Sequence, residues 1–119
     1  MNIDHFKDLV ETRSNKLVQA EFAQISNPDA GYGYYFSTWY NGKEYNLGGV
    51  FCDDNKEVDW AYLVTWNFSI KAKYDKKKKK LEMISQIKDD NMLDFRKDFD
   101  SIVDCYVEMQ KNIYIMGNL

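Results

Sequence analysis

Large apolar side chains alternate with other residues along positions 58–74, and this is the clearest pattern in the chain. The alternating positions are Val58, Trp60, Tyr62, Val64, Trp66, Phe68, Ile70, Ala72 and Tyr74. A period of two residues predicts a strand. A single straight strand of this length would extend over more than about 50 Å, so we expect it to bend or to be split by a bulge near residues 66–67. We also expect Trp60, Trp66 and Phe68 to fill the core.

Two further strands are predicted before this segment. Residues 32–40 are rich in aromatic and β-branched residues, and residues 44–52 follow the pair Asn41-Gly42, which is the strongest short signal for a β-hairpin. Within the second strand, Gly48-Gly49 indicates a bulge or a close approach to an aromatic neighbour. Tyr35 and Trp39 alternate with the other aromatic residues of 32–40, so they are predicted on the opposite face of the sheet.

The two ends of the chain have helical periodicity. Residues 3–13 predict a short amphipathic helix that Asn2 caps, and residues 91–114 carry a continuous apolar stripe that predicts a long helix. Residues 16–26 are compatible with a strand or with a continuation of the first helix. Residues 80–87 are predicted to pair with the preceding strand across a lysine-rich turn.

This order of elements predicts one α+β domain over residues 1–119. The sheet is expected to be an antiparallel meander of four to five strands. The short N-terminal helix and the long C-terminal helix are expected to pack together on one face of it, where the even-numbered residues of 58–74 would meet the apolar stripe of the last helix.

The residue content argues against most enzyme chemistry. The chain has one histidine, His5, and two cysteines, Cys52 and Cys105, without the spacing of a metal site or a redox motif. No glycine-rich phosphate loop occurs. We therefore expect no catalytic residues, no metal site and no cofactor, although the sequence neither supports nor excludes a small-ligand pocket.

The location predicted from the sequence is cytoplasmic. The N-terminal residues lack the apolar segment of a signal peptide, no apolar run is long enough to cross a bilayer, and the two cysteines are interpreted as reduced core thiols. The composition is rich in lysine, asparagine, tyrosine and isoleucine but has only two arginines, which suggests an AT-rich bacterial or phage genome.

Charge is distributed unevenly along the chain. Residues 71–80 hold seven lysines and one aspartate, a formal charge of +6, so the rest of the chain carries −9 of the total of −3. The basic turn, Lys76, Lys77, Lys78 and Lys79, could contact nucleic-acid phosphates. A solvated turn that protects a strand edge is the interpretation we favour, because arginine, the main phosphate-recognising residue, is nearly absent.

Acidic residues repeat at helical spacing in the predicted C-terminal helix. They are Asp94, Asp98, Asp100, Asp104 and Glu108. Like charges at this spacing destabilise a helix by a few tenths of a kcal/mol per pair. An ordinary solvated helix face is one interpretation, and a negative surface that attracts a basic partner is the other.

These features together favour a non-enzymatic protein-binding module. Its acidic surface would dock on a basic partner protein, as an inhibitor or immunity-type protein does, with Tyr35 and Trp39 as exposed aromatic anchors. The alternative is a single-stranded nucleic-acid-binding module that uses the lysine-rich hairpin and sheet aromatics. A homodimer is left open, and no membrane association is expected.

Overall fold

The computed structural model describes residues 1–24, 31–65, 68–75, 77, 80–88 and 102–117. These residues form two helices and six strands. In chain order they are α1 (Ile3–Arg13), β1 (Val18–Gln24), β2 (Tyr32–Tyr40), β3 (Lys43–Cys52), β4 (Val58–Thr65), β5 (Phe68–Asp75), β6 (Lys80–Lys88) and α2 (Ile102–Gly117). The strands form one antiparallel sheet in the order of the chain, so the predicted α+β class and meander topology are confirmed.

Local sequence signals account for the first half of the sheet. Asn2 caps α1 by accepting the backbone N–H of Asp4 at 2.9 Å, as predicted. Asn41 and Gly42 both have positive φ, at 50° and 75°, which is the backbone that a two-residue hairpin requires between β2 and β3. Residues 16–26, for which the sequence left two possibilities, form strand β1 over Val18–Gln24.

The Gly48-Gly49 pair marks a bulge, as predicted. Phe36 pairs with Gly48 and Ser37 pairs with Asn46, so Leu47 is the extra residue of β3. Gly48 has a φ of +105°, and a Cβ there would lie 2.1 Å from the carbonyl oxygen of Tyr62. This position therefore requires glycine both for its backbone angle and for the close approach of β4.

The prediction of one long strand over residues 58–74 was wrong. Its residues form β4 and β5, which pair with each other in antiparallel fashion, with Thr65 opposite Phe68. The split falls at residues 66–67, as expected for a break, but the chain reverses direction between the two strands. The sheet consequently has six strands instead of four to five.

Both helices cover the same face of the sheet, which we call the inner face. The core there joins α1, α2 and the first four strands, and at its centre the rings of Phe6, Phe36 and Tyr106 contact one another with centroids 4.7–6.1 Å apart. The helix predicted over 91–114 is observed from Ile102, and its predicted first part lies outside the described residues.

The predicted core face of β4 is correct at Val58, which is buried in the inner core, but wrong at Trp60. Ala61 and Leu63 are buried in the inner core, whereas Trp60 is only half-buried and stacks on Phe51 away from that core. The cause is a second bulge: Cys52 pairs with Val58 and Phe51 with Trp60, so residue 59 is extra and the alternation changes phase. Trp66 lies outside the described residues, and the side chain of Phe68 is not among those described.

Candidate functional site

The face of the sheet opposite the helices, which we call the outer face, exposes two aromatic side chains. Tyr35 and Trp39 are each 48 % exposed, although both are large aromatic residues of β2. Their neighbours Phe36 and Thr38 point to the inner face and are fully buried. The prediction that Tyr35 and Trp39 lie opposite the other aromatic residues of β2 is therefore confirmed.

Two glycines allow aromatic rings to lie flat on the outer face. A Cβ at Gly33 would fall 2.5 Å from Cδ1 of Phe51, and a Cβ at Gly49 would fall 3.1 Å from Cδ1 of Tyr35. The rings thus occupy the space that side chains at these two positions would take. This seating explains why Phe51 is only 2 % exposed on a face that no described helix covers.

The seated rings continue across three strands as an aromatic row of Tyr35, Phe51, Trp60 and Tyr62. Phe51 contacts Tyr35 edge-on, with centroids 5.7 Å apart, and stacks on Trp60 at 4.2 Å with an interplanar angle of 24°. Trp60 in turn meets Tyr62 edge-on at 4.8 Å. Such contacts stabilise by about 0.5–1.5 kcal/mol per pair beyond area burial, so the row is a rigid base for the exposed part of the outer face.

Each exposed aromatic residue has a glutamate directly across from it on the neighbouring strand. Glu21 pairs with Tyr35 between β1 and β2, and Trp39 pairs with Glu44 between β2 and β3. All four side chains are exposed. We call Glu21, Tyr35, Trp39 and Glu44 the docking patch, and between its two halves lie only uncharged polar residues, Gln19, Ser37 and Asn46.

The two glutamates of the docking patch were missed by the sequence reasoning. For Glu44 a signal was available, because a two-residue turn at Asn41-Gly42 places Tyr40 opposite Lys43 and therefore Trp39 opposite Glu44. For Glu21 no signal was available, because residues 16–26 could not be assigned to a strand with a defined register.

Two of the acidic residues predicted on the C-terminal helix, Asp104 and Glu108, are among the described residues, and both are exposed on α2. Asp104 pairs with Arg13 of α1 at 3.1 Å, and Glu108 pairs with Lys111 at 3.6 Å. Both carboxylates therefore already have cationic neighbours within the chain. Their role in partner binding stays a prediction, as does that of Asp94, Asp98 and Asp100, which lie outside the described residues.

The lysine-rich turn is only partly described. Lys77 is exposed, and its backbone N–H donates to Oδ1 of Asp75 at 2.9 Å. Lys76, Lys78 and Lys79 lie outside the described residues. Lys73 is exposed at the position opposite Trp60 and pairs with Asp59 at 3.3 Å.

A second polar and aromatic cluster lies where α1 meets β2. The hydroxyl groups of Tyr32 and Tyr34 both donate to the carboxylate of Asp4, the first at 3.1 Å, and Phe22 packs against both rings. Burial, followed by the hydrogen bond to Asp4, raises the pKa of Tyr34 well above its usual range. Both phenols therefore remain protonated donors that tie α1 to the sheet.

The described thiols are not arranged as nucleophiles. Cys52 and Cys105 are buried and are not joined by a disulfide, in agreement with their prediction as core residues. Burial raises the pKa of Cys105 to about 12 and also raises the pKa of Cys52, which disfavours the reactive thiolate at neutral pH. Within the described ranges, no group of three histidine, cysteine or acidic side chains is placed to hold a metal ion.

Comparisons with known proteins gave no relative for this chain. No family model matches it, no curated protein matches it, and no solved structure matches it. Among the described residues, neither helix has the length and apolar character needed to span a bilayer.

Proposed function

We propose that this protein is a non-enzymatic binding module that docks on a basic surface of another protein through the docking patch. The observation that carries the proposal is the register of the first three strands, which sets an exposed glutamate beside each of the two exposed aromatic residues of β2, Tyr35 and Trp39. Exposed aromatic residues are favoured anchors at protein interfaces. Because the carboxylates of Glu21 and Glu44 are negative, the partner surface that fits them is basic.

An arginine side chain suits each half of the docking patch. Its guanidinium group can stack on the ring of Tyr35 or Trp39, an interaction of about 0.5–1 kcal/mol at exposed sites. It can at the same time donate hydrogen bonds to the neighbouring carboxylate of Glu21 or Glu44, and bonds between two charged groups are roughly twice as strong as neutral ones. A lysine can use the carboxylate but lacks the planar fork.

The spacing of the patch sets the spacing of the partner groups. Tyr35 and Trp39 lie four residues apart on one strand, which corresponds to about 13 Å. A partner would therefore present two basic side chains about 13 Å apart. The rigid row beneath Tyr35 reduces the entropy lost when a partner orders this ring.

The sequence-based hypothesis assigned the acidic contacts with the partner to α2. We assign them instead to Glu21 and Glu44 of the sheet. In the described part of the chain, Glu21 and Glu44 stand beside the anchors, whereas Asp104 and Glu108 stand on the helix layer with cationic neighbours. An inhibitor or immunity-type role in the cytoplasm of a bacterial or phage-infected cell remains the class that we propose. The two buried cysteines, which are not joined by a disulfide, support a reducing compartment.

The test is a pull-down from the source cell at physiological salt with three forms of the protein. The wild type should recover a basic partner, and the Glu21→Lys/Glu44→Lys form should lose it, because two repulsive contacts replace two attractive ones. Asp8→Lys/Asp54→Lys, which reverses two exposed acidic side chains outside the docking patch, is the matched charge control and should keep the partner. Recovery of no partner by the wild type, or equal recovery by all three forms, would contradict the proposal.

Single-stranded nucleic-acid binding is the second candidate function. One observation favours it: Lys71 lies in register with Tyr62 and Lys73 with Trp60, so basic residues border the aromatic row. The ion pair between Lys73 and Asp59 and the net charge of −3 weigh against it.

A salt series with labelled single-stranded DNA and RNA distinguishes the two functions. Steep loss of binding as salt increases would support the nucleic-acid function, and replacement of Lys76–Lys79 by serine should then abolish binding. Under the protein-docking function, neither probe should bind even at low salt, and the serine variant should keep the partner protein.

A further inference from the structure

Strand β1 forms one edge of the sheet, with β2 as its single neighbour among the described strands. The N–H of Val18 donates to Oγ of Ser14 at 3.1 Å, so it does not point to β2. Backbone hydrogen bonding alternates between neighbouring residues of an antiparallel strand. The even-numbered residues therefore direct their N–H and C=O groups away from β2, which places those of Ala20 and Phe22 at the free edge.

The side chains of β1 offer little protection to this edge. Its sequence, VQAEFAQ, has one charged residue, Glu21, and no proline. Natural edge strands are usually protected by lysine, proline or a bulge, because an unpaired ladder recruits another strand. In addition, Phe22 of this edge strand is 59 % exposed, and its ring packs against the rings of Tyr32 and Tyr34.

Charge disfavours a second copy of this chain as the added strand. Antiparallel pairing of two β1 strands over their full length would be centred on Glu21, the middle residue of Val18–Gln24. Two glutamates would then stand directly opposite each other, which destabilises a strand pair. A basic residue at the same position would instead be stabilising.

We propose that β1 accepts an extended basic segment of the partner protein as an additional strand. An arginine or lysine of that segment lies opposite Glu21 on the outer face, and an apolar residue lies opposite Phe22 on the inner side. The backbone of the segment bonds to the free groups of Ala20 and Phe22, as in other cases of strand addition. This inference rests on the proposed function, since the basic residue opposite Glu21 continues the same surface as the docking patch.

The direct test uses an eight-residue fluorescein-labelled peptide of alternating arginine and valine. The matched control peptide replaces each arginine by glutamate. In fluorescence anisotropy with the wild-type protein, the arginine peptide should bind at least tenfold more tightly than the glutamate peptide. Hydrogen exchange of the Ala20 and Phe22 amides, followed by NMR, should slow at least tenfold when this peptide is added, whereas exchange of the Glu21 amide should change little.

A proline variant tests the role of the edge. Ala20→Pro removes an N–H that faces the free edge and places a ring there, while the hydrogen bonds to β2 remain. Peptide affinity should fall at least tenfold, with the far-UV circular dichroism spectrum unchanged. If this variant does not fold, the hydrogen-exchange result for the wild type decides the question.

The outcomes separate this inference from the proposed function. If the peptide binds without slowing exchange at Ala20 and Phe22, but binding is lost in Tyr35→Ala/Trp39→Ala, the docking patch is supported and strand addition is wrong. If the peptide does not bind, strand addition is wrong, and the pull-down still tests the docking patch. If these amides are protected in a dimer of the protein alone, a second copy occupies the edge and the inference is overturned.

Discussion

Both faces of the sheet carry aromatic side chains, but the two faces use them differently. On the inner face, Phe36 is fully buried between Phe6 of α1 and Tyr106 of α2. On the outer face, its sequence neighbour Tyr35 rests on Gly49 and stays half exposed. Aromatic content alone therefore does not identify a core. The helices define the core, whereas on the outer face the buried ring of Phe51 supports Tyr35, which remains half exposed.

The largest effect is expected from truncation on the inner face. Phe36→Ala should lower the free energy of unfolding by about 3–5 kcal/mol, because a fully buried ring is lost and a cavity remains. Urea unfolding followed by circular dichroism measures this change. Tyr35→Ala is the matched control from the adjacent position and should cost about 1 kcal/mol. Equal losses for the two variants would mean that the faces do not differ as described.

A smaller loss of folding free energy is expected when the hydroxyl group of Tyr106, which contacts the backbone of the sheet from the inner core, is removed. The buried Tyr106 hydroxyl lies 2.7 Å from the carbonyl oxygen of Gly49 and 2.8 Å from that of Tyr62. Tyr106→Phe should cost about 1–3 kcal/mol in the same unfolding assay, because buried carbonyl groups lose their donor.

Tyr114→Phe is the control for that substitution. It removes a hydroxyl from the same helix that donates to the exposed carbonyl of Trp39 at 3.0 Å, where water can replace it. Its cost should be below about 1 kcal/mol. If Tyr106→Phe were as mild as this control, the hydroxyl would not secure the strands near the β3 bulge.

On the outer face, the stacked pair of the aromatic row should show measurable coupling. A double-mutant cycle with Phe51→Ala and Trp60→Ala should give an interaction free energy of about 0.5–1.5 kcal/mol. The control cycle pairs Trp60→Ala with Phe22→Ala, which lies on the other side of the sheet, and should be additive. Additivity in both cycles would show that the row is not a packed unit.

The smallest effect on stability is expected in the docking patch. Trp39→Ala should change the free energy of unfolding by less than about 0.5 kcal/mol, because half of this side chain is already in water. The same variant should weaken capture of the partner strongly, since exposed aromatic anchors often dominate binding. A strong loss of stability with normal capture would place Trp39 in the core instead.

The sequence was sufficient to predict features that depend on strong local signals. The cap at Asn2, the turn at Asn41-Gly42 and the glycine bulge of β3 each depend on a few neighbouring residues, and all three were predicted correctly. Tyr35 and Trp39 were placed on the correct face for the same reason, because β2 keeps one phase along its length.

The errors concern phase and pairing. The extra residue at position 59 reverses the alternation of β4, and nothing in the sequence around it distinguishes a bulge from a regular strand. Between Thr65 and Phe68 the sequence offers a single turn-favouring residue, Asn67, without glycine or proline, so the signal for a reversal was weak. Glu21 entered the candidate site only through the pairing of β1 with β2, which is a tertiary property.

The position of Tyr106 in the chain has a consequence for biosynthesis. This ring, together with Phe6 of α1, covers Phe36, yet it follows all six described strands in the sequence. During translation α1 and the strands emerge before α2, so the part of the inner face that α2 covers stays open until α2 has left the ribosome. The core therefore closes only after α2 has emerged, and the nascent sheet without α2 is the species that a chaperone would need to protect.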